Sequence, residues 1–236
     1  MSTITDDSGA TREVHTYLLI FWRSVKLAVI STVICLLMGY PIAYIIARAA
    51  PHTQKTIITL IMIPMWMNFL IRTYAWMTIL QDTGLLNMLF SALHLGQAHI
   101  IGTEGAVVVG MVYDYFPYMI LLIYSVMAKM DTRLIEAARD LGASPARVLK
   151  DITLPLIFPA VLSGMMLSAA MSLDDVVISF FVTSAETTTL PLKVYTGLRS
   201  GGTPEINALS TLMLGVIFIC VAATQLITAR SNAKLQ

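Results

Sequence analysis

From Glu136 to Pro155 the chain reads EAARDLGASPARVLKDITLP, a polar stretch set between two long apolar segments. Asp131 or Thr132 is placed to cap a helix over 132–141, on which Leu134, Ala138 and Leu141 share one face. Gly142 supplies the left-handed position that commonly ends such a helix. Ser144 and Pro145 restart one, serine as N-cap and proline at the first helical position. Ile152-Thr153-Leu154-Pro155 then leads into the next apolar segment. The stretch therefore reads as a helix–turn–helix hairpin joining two spans. Ala137 and Ala138 leave one of its surfaces low enough for a partner to close over, and Glu136 adds a hydrogen-bond acceptor there.

The flanking segments call for a bilayer. Of 236 residues, 57% are hydrophobic and 12% charged, against about 25% charged in a soluble domain. Mean hydropathy is +0.77. Five stretches have the roughly 20 residues that a helix needs to cross a hydrocarbon core: 18–47, 56–80, 105–128, 152–181 and 207–229. A polar tail over 1–17, a hairpin loop over 129–151 and a short tail over 230–236 complete the chain. The expected fold is one all-α integral membrane domain of about five transmembrane helices. The leading tail carries Asp6, Asp7 and Glu13 and lacks the basic start and apolar core of a signal peptide.

Lysine and arginine set the orientation. Nine fall on the side of the hairpin: Arg48, Lys55, Lys129, Arg133, Arg139, Arg147, Lys150, Arg230 and Lys234. Five fall opposite: Arg12, Arg23, Lys26, Lys193 and Arg199. The hairpin and the C-terminus are thus expected in the cytoplasm and the N-terminus outside. Formal net charge is only +1, which gives no field for nucleic acid.

Several residues stand out inside the spans. Gly39-Tyr40-Pro41 predicts a bend in the first. Gly164, Ser168 and Ser172 recur every four residues in the fourth, a stripe that lets helices approach closely. Cys35 and Cys220 read as small hydrophobes. His15, His52, His94 and His99 lie in loops or flanks without metal spacing. No nucleophile–base arrangement is legible, and no G-x4-G-K-[ST] phosphate loop occurs.

Ionisable residues within spans are costly and mark candidate solute contacts. Asp174 and Asp175 occupy the outer part of the fourth span. Adjacent helix positions diverge by about 100°, so at most one faces a central path. Two readings stand: one aspartate attracts an ammonium group, or one pairs with Arg72 while the other reaches the interface. Arg72 itself, in the second span, either pairs with a carboxylate or snorkels outward. Asp114 lies among Tyr113, Tyr115 and Tyr118, a set that reads either as a cation cage or as bundle packing. Trp66 and Trp76 read as packing or belt residues. Glu205 and the outer loops 81–104 and 182–206 are where a solute-loaded partner would land.

The hairpin also carries a resemblance. Glu136-Ala137-Ala138, Gly142, Ile152, Leu154 and Pro155 match every defining position of the EAA motif, EAA-x3-G-x9-I-x-L-P, of permease subunits in bacterial ABC importers. The wider chain resembles the spermidine/putrescine branch of that family through Leu70-Ile71-Arg72-Thr73-Tyr74-Ala75-Trp76, Ser172-Leu173-Asp174-Asp175, Leu190-Pro191-Leu192-Lys193-Val194-Tyr195 and Pro204-Glu205-Ile206-Asn207-Ala208-Leu209.

The resemblance implies an inner-membrane, non-catalytic subunit whose hairpin is a coupling helix in a cleft of a cytoplasmic ATPase dimer. It implies a second permease subunit, with heterodimer pairing expected, and a solute-binding protein outside. No cofactor is implied for this chain, since the ATPase partner uses the ATP. Family members usually have six spans. The polar tail before Leu18 implies either a five-span version or a start site placed too late. Alternative cargoes are an opine, thiamine or an oxyanion. The alternative class is an ATP-independent secondary transporter, which would call for an inverted repeat that the chain does not display.

Overall fold

The computed structural model describes residues 7–94, 99–184, 187–199, 201 and 204–233. Among these it is all-helical, without strands. In chain order the helices are α1 (Asp7–Arg48), α2 (Pro51–Trp66), α3 (Phe69–Leu80), α4 (Leu85–Ala92), α5 (Glu104–Met127), α6 (Thr132–Asp140) and α7 (Pro145–Val148). A π-helical turn over Leu149–Thr153 follows, then α8 (Leu154–Leu173), α9 (Val177–Val182), α10 (Leu190–Arg199) and α11 (Pro204–Ala233). Among the described residues three helical runs are long and apolar enough to cross a membrane: Leu19–Arg48, Glu104–Met127 and Pro145–Leu173. A fourth span results if the bent pair α2 and α3–α4 is counted as one.

The centre is a bundle of α1, α5 and α8, which pack on one another pairwise. Lipid tails are as apolar as leucine, so close approach and dispersion drive this packing rather than expulsion of water. The sequence supplies the approach. Ala160, Gly164, Ser168 and Ser172 form the buried stripe of α8. A β-carbon at Gly164 would stand 2.7 Å from Met119 Sδ, and one at Gly39 would stand 3.1 Å from Met119 Cγ. Met119, fully buried on α5, is thus wedged between α8 and α1. The outward faces stay apolar and exposed, as at Trp22, Leu37 and Phe158.

Three expectations change. α1 runs helical through Pro41, where the bend was expected, and Gly39 there makes the contact with Met119. The helix also begins at Asp7, inside the segment expected to be a polar tail. The second stretch, expected as one helix over 56–80, is two: α2 and the α3–α4 arm meet at 94°. Met67 and Asn68 between them are extended, with ψ of 150° and 131°. Asn68 Oδ1 then accepts the Leu70 N–H at 2.9 Å and starts α3. The fourth stretch, expected over 152–181, starts earlier at Pro145, stops at Leu173 and resumes as α9.

The loops carry structure of their own. The 81–104 segment holds α4, and the 182–206 segment holds α10. Ser24 Oγ of α1 accepts the Leu190 N–H at 2.7 Å, which ties the start of α10 to the bundle. At the same end Glu104 takes ion pairs from Arg23 at 3.2 Å and Lys26 at 3.0 Å.

Candidate functional site

Two interruptions of the helical path carry the functional candidates: the hairpin at one end of the bundle and a pair of breaks within it. At the hairpin, Asp131 Oδ1 accepts the Arg133 N–H at 2.9 Å and caps α6. The helix ends on Gly142, whose φ is +81°. Gly142 N–H donates to Arg139 O at 2.8 Å and Ala143 N–H to Ala138 O at 3.0 Å. This pair of bonds satisfies carbonyls that the helix end would otherwise leave open, and it requires a left-handed residue between them. Ser144 Oγ then accepts the Arg147 N–H at 3.4 Å and Pro145 opens α7.

The hairpin's second arm does not stop at the membrane. Pro145–Leu173 is one helical run, and the Ile152-x-Leu154-Pro155 part of the motif lies where the π turn passes into α8. Leu154 N–H donates to Leu149 O, five residues back. Pro155 has no N–H to give to the ladder, so a widened turn at this point accommodates a residue that would otherwise break the helix. The apolar face is arranged differently from the expected Leu134, Ala138 and Leu141 set. Ile135 points inward and is buried, while Leu134 is 49% and Leu141 89% exposed. Glu136 and Ala137 are exposed beside them, and Ala138 is half-buried. A cleft of about 490 Å³ opens between α6 and the ends of α1 and α5, lined in part by Tyr44, Arg48, Met127, Glu136, Arg139 and Thr153. The Arg48 guanidinium lies over the Tyr44 ring, 4.4 Å from its centroid.

Within the bundle the ionisable candidates are distributed in a way the chain order did not reveal. Arg72 Nε meets Asp114 Oδ1 at 2.6 Å, with the two side chains 10% and 3% exposed. The same guanidinium donates from Nη1 to Pro64 O at 3.0 Å, across the α2–α3 break. Arg72 therefore pairs with Asp114, and the alternative pairing with Asp174 or Asp175 is replaced. Asp175, expected as a possible face of the path, is buried. Its Oδ1 accepts the Tyr115 O–H at 3.2 Å and the Ile178 N–H at 3.3 Å, while Oδ2 accepts the Ser179 N–H at 3.1 Å. It acts as the start signal for α9, where a carboxylate answers the open N–H groups of the first turn. Asp174 closes α8 and is exposed.

The cation cage around Asp114 is not assembled. Tyr113 stacks on Trp76 with ring centroids 5.1 Å apart, Tyr115 turns to Asp175, and Asp114 is held by Arg72. Sequence reasoning passed over Tyr115 and Asn68 as organisers of the breaks. Asn68 carried a legible signal, since asparagine before an apolar helical run is an N-cap signature. Tyr115 carried none. The side chains of Glu205 and Cys220 lie outside the described residues, whereas Cys35 is buried in the core. Among the described residues no group of three metal-ligating side chains occurs.

Residues 39–235 match the protein family described as binding-protein-dependent transport system inner membrane component. The chain is 39% identical over 153 residues to the spermidine/putrescine transport system permease protein PotB of Haemophilus influenzae, covering 64% of this chain and 54% of that protein. It is 46% identical over 116 residues to PotC of the same organism, covering 49% and 45%. The chain thus spans about half the length of these relatives. A crystal structure of a bacterial alginate ABC transporter, in complex with a pentasaccharide-bound periplasmic protein, contains a chain of the same fold. The TM-score is 0.74 at 16% identity, covering 89% of this chain and 77% of that one.

Proposed function

The chain belongs to the family of binding-protein-dependent transport system inner membrane components, and on that premise we propose that it is the permease subunit of an ABC importer that carries a polyamine. The observation that carries the reading is the hairpin: a capped helix with exposed Leu134, Ala137 and Leu141, joined through α7 and the π turn to a span. A surface of that kind receives a push and transmits it along α8. The pushing partner is a cytoplasmic ATPase dimer, which binds and hydrolyses the ATP. Glu136, Ala137, Ala138 and Gly142 form the docking helix and its stop, while Ile152, Leu154 and Pro155 form the join to the span. In this reading the hairpin and the C-terminus face the cytoplasm, in line with the arginine and lysine bias.

The polyamine reading is supported by what the bundle leaves exposed. Arg72 and Asp114 pair with each other, and Asp175 is taken up by Tyr115 and the backbone of α9. Asp174 is exposed at the end of α8, beside the freed backbone of 174–176. An exposed carboxylate at that point attracts an ammonium group without trapping it. The relatives named for spermidine and putrescine support the same class. Two differently named relatives from one organism also support pairing with a second, non-identical permease, with a solute-binding protein delivering cargo to the outer face.

The test is uptake by vesicles that hold the complete transporter, offered labelled spermidine, putrescine and a neutral amino acid. Uptake of a polyamine in preference to the amino acid is expected, and equal uptake of all three, or of neither polyamine, defeats the assignment. Coupling is tested separately. Glu136→Lys and Gly142→Asp are expected to abolish stimulation of ATP hydrolysis by the loaded binding protein. Unchanged stimulation in both sinks the coupling role.

A further inference from the structure

We propose that Asp114 and Tyr115, neighbours on α5, are positioning residues that latch α3 and α9 together as one gate. The proposal rests on the reading of the chain as a permease and adds to it the moving body and its fastening.

The two helix breaks lie beside the same short stretch of α5. Irregular backbone at membrane depth persists only where its open groups find partners inside the protein or line a watery cavity. At both breaks the partner comes from one place. Asp114 holds Arg72, which also donates to Pro64 O on the far side of the α2–α3 break. Tyr115 holds Asp175, which caps α9 across the α8–α9 break. Successive residues on a helix point about 100° apart, so two adjacent side chains reach two different neighbours from one turn.

The apolar contacts converge on the same stretch. A β-carbon at Gly110 would stand 2.8 Å from Ile178 Cγ2 of α9 and 3.7 Å from Trp76 Nε1 of α3. Gly110 is therefore the spot where both helices press on α5. Trp76 stacks on Tyr113 one turn further on, with the planes 9° apart. The helices α3 and α9 also pack directly on each other. Each is short, and each begins just after a non-helical break, at 67–68 and at 174–176. Hinges of that size absorb large backbone rotations while the packed pieces stay intact. The parts describe a small two-helix body with two hinges, polar latches at Asp114 and Tyr115, and a flat apolar seat at Gly110 and Tyr113.

The test uses the complete transporter in lipid nanodiscs, with Cys35→Ala and Cys220→Ala as background. Spin labels are placed pairwise at Thr78 on α3, Phe180 on α9 and Thr59 on α2, across the hinge at 67–68, all exposed positions. Distances are read without nucleotide and in an ATP-trapped state. The 78–180 distance is expected to be single and the same in both states, while both distances to 59 shift together. With Asp114→Asn or Tyr115→Phe the 78–180 distribution splits, and uptake falls about tenfold relative to ATP hydrolysis, a typical coupling magnitude.

A 78–180 distance that changes between states in the parent protein overturns the gate, as does one that stays single in both variants. If Asp114→Asn fails to assemble, the exchanged pair Arg72→Asp with Asp114→Arg replaces it. Restoration of a single distribution supports the latch, and an assembled exchange variant with a split distribution overturns it. The outcome is separable from the cargo. A gate that moves as described in a transporter that takes up no polyamine defeats the polyamine reading alone, and polyamine uptake with α3 and α9 moving independently defeats the gate alone.

Discussion

The hairpin and the mid-bundle breaks both interrupt a helix, and they are held by opposite means. At the hairpin the hydrogen-bonded fastenings are local: Asp131 to Arg133, Gly142 to Arg139, Ser144 to Arg147. Nothing lies within 4 Å of a β-carbon built on Gly142, and the outer face is left exposed. At the breaks the fastenings span 42 residues from Arg72 to Asp114 and 60 from Tyr115 to Asp175, and the groups are buried. The difference teaches where each region's energy is committed. The breaks spend their polar groups inside the chain and set its shape. The hairpin leaves its outer surface exposed.

That contrast can be broken from either end. The largest effect is expected from Arg72→Ala, which leaves Asp114 buried and unpaired at a cost of about 3–5 kcal/mol. Thermal retention of the detergent-solubilised protein should fall sharply, and the apolar double replacement Arg72→Met with Asp114→Leu should recover most of it. If the single change is as stable as the parent, the buried pair does not organise the break. Next comes Gly164→Val. Met119 is confined by Gly39 on its other side, so the added methyls overpack the α5–α8 contact at about 1–3 kcal/mol. A melting temperature unchanged by this substitution would show that α8 can shift to make room.

Smaller effects belong to the hairpin. Gly142→Ala forces a β-carbon into the left-handed region at about 1–2 kcal/mol, with no steric clash to add. Hydrogen exchange over 132–143 should quicken while the spans are unaffected, and Gly142→Asn should be milder. Exchange that quickens equally in α5 would mean that hairpin and bundle are not independent. Asp131→Ala, which removes one cap, is expected to cost about 1 kcal/mol, visible only as faster exchange in the first turn of α6. A global loss of stability from so local a change would erase the distinction between the two regions.

How much was legible follows the same division. The hairpin could be read because caps, a left-handed glycine and an N1 proline are signals within four residues of what they fasten. The apolar stretches were legible as membrane segments, and the Gly164-Ser168-Ser172 stripe as a packing face. The breaks in the second and fourth stretches were not read. In the second stretch the cap signal of Asn68 is masked by the apolar length on either side of it, and in the fourth the two aspartates at 174–175 read as candidate ligands. Asp175 is polar by itself, and only its place beneath Ile178 and Ser179 makes it a cap rather than a ligand. Tyr113, Tyr115 and Asp114 looked like one aromatic cluster because they are consecutive, but helix geometry sends them to three different partners.

By itself the sequence determined that this is a membrane-spanning helical chain with a capped hairpin, because apolar length, charge placement and cap chemistry are local properties. Only the tertiary structure decided which charges cancel, where two spans break, and that one turn of α5 fastens both. Those outcomes depend on which distant side chain arrives at a buried polar group. A low-dielectric interior makes that arrival compulsory, but the order of the residues does not say who arrives.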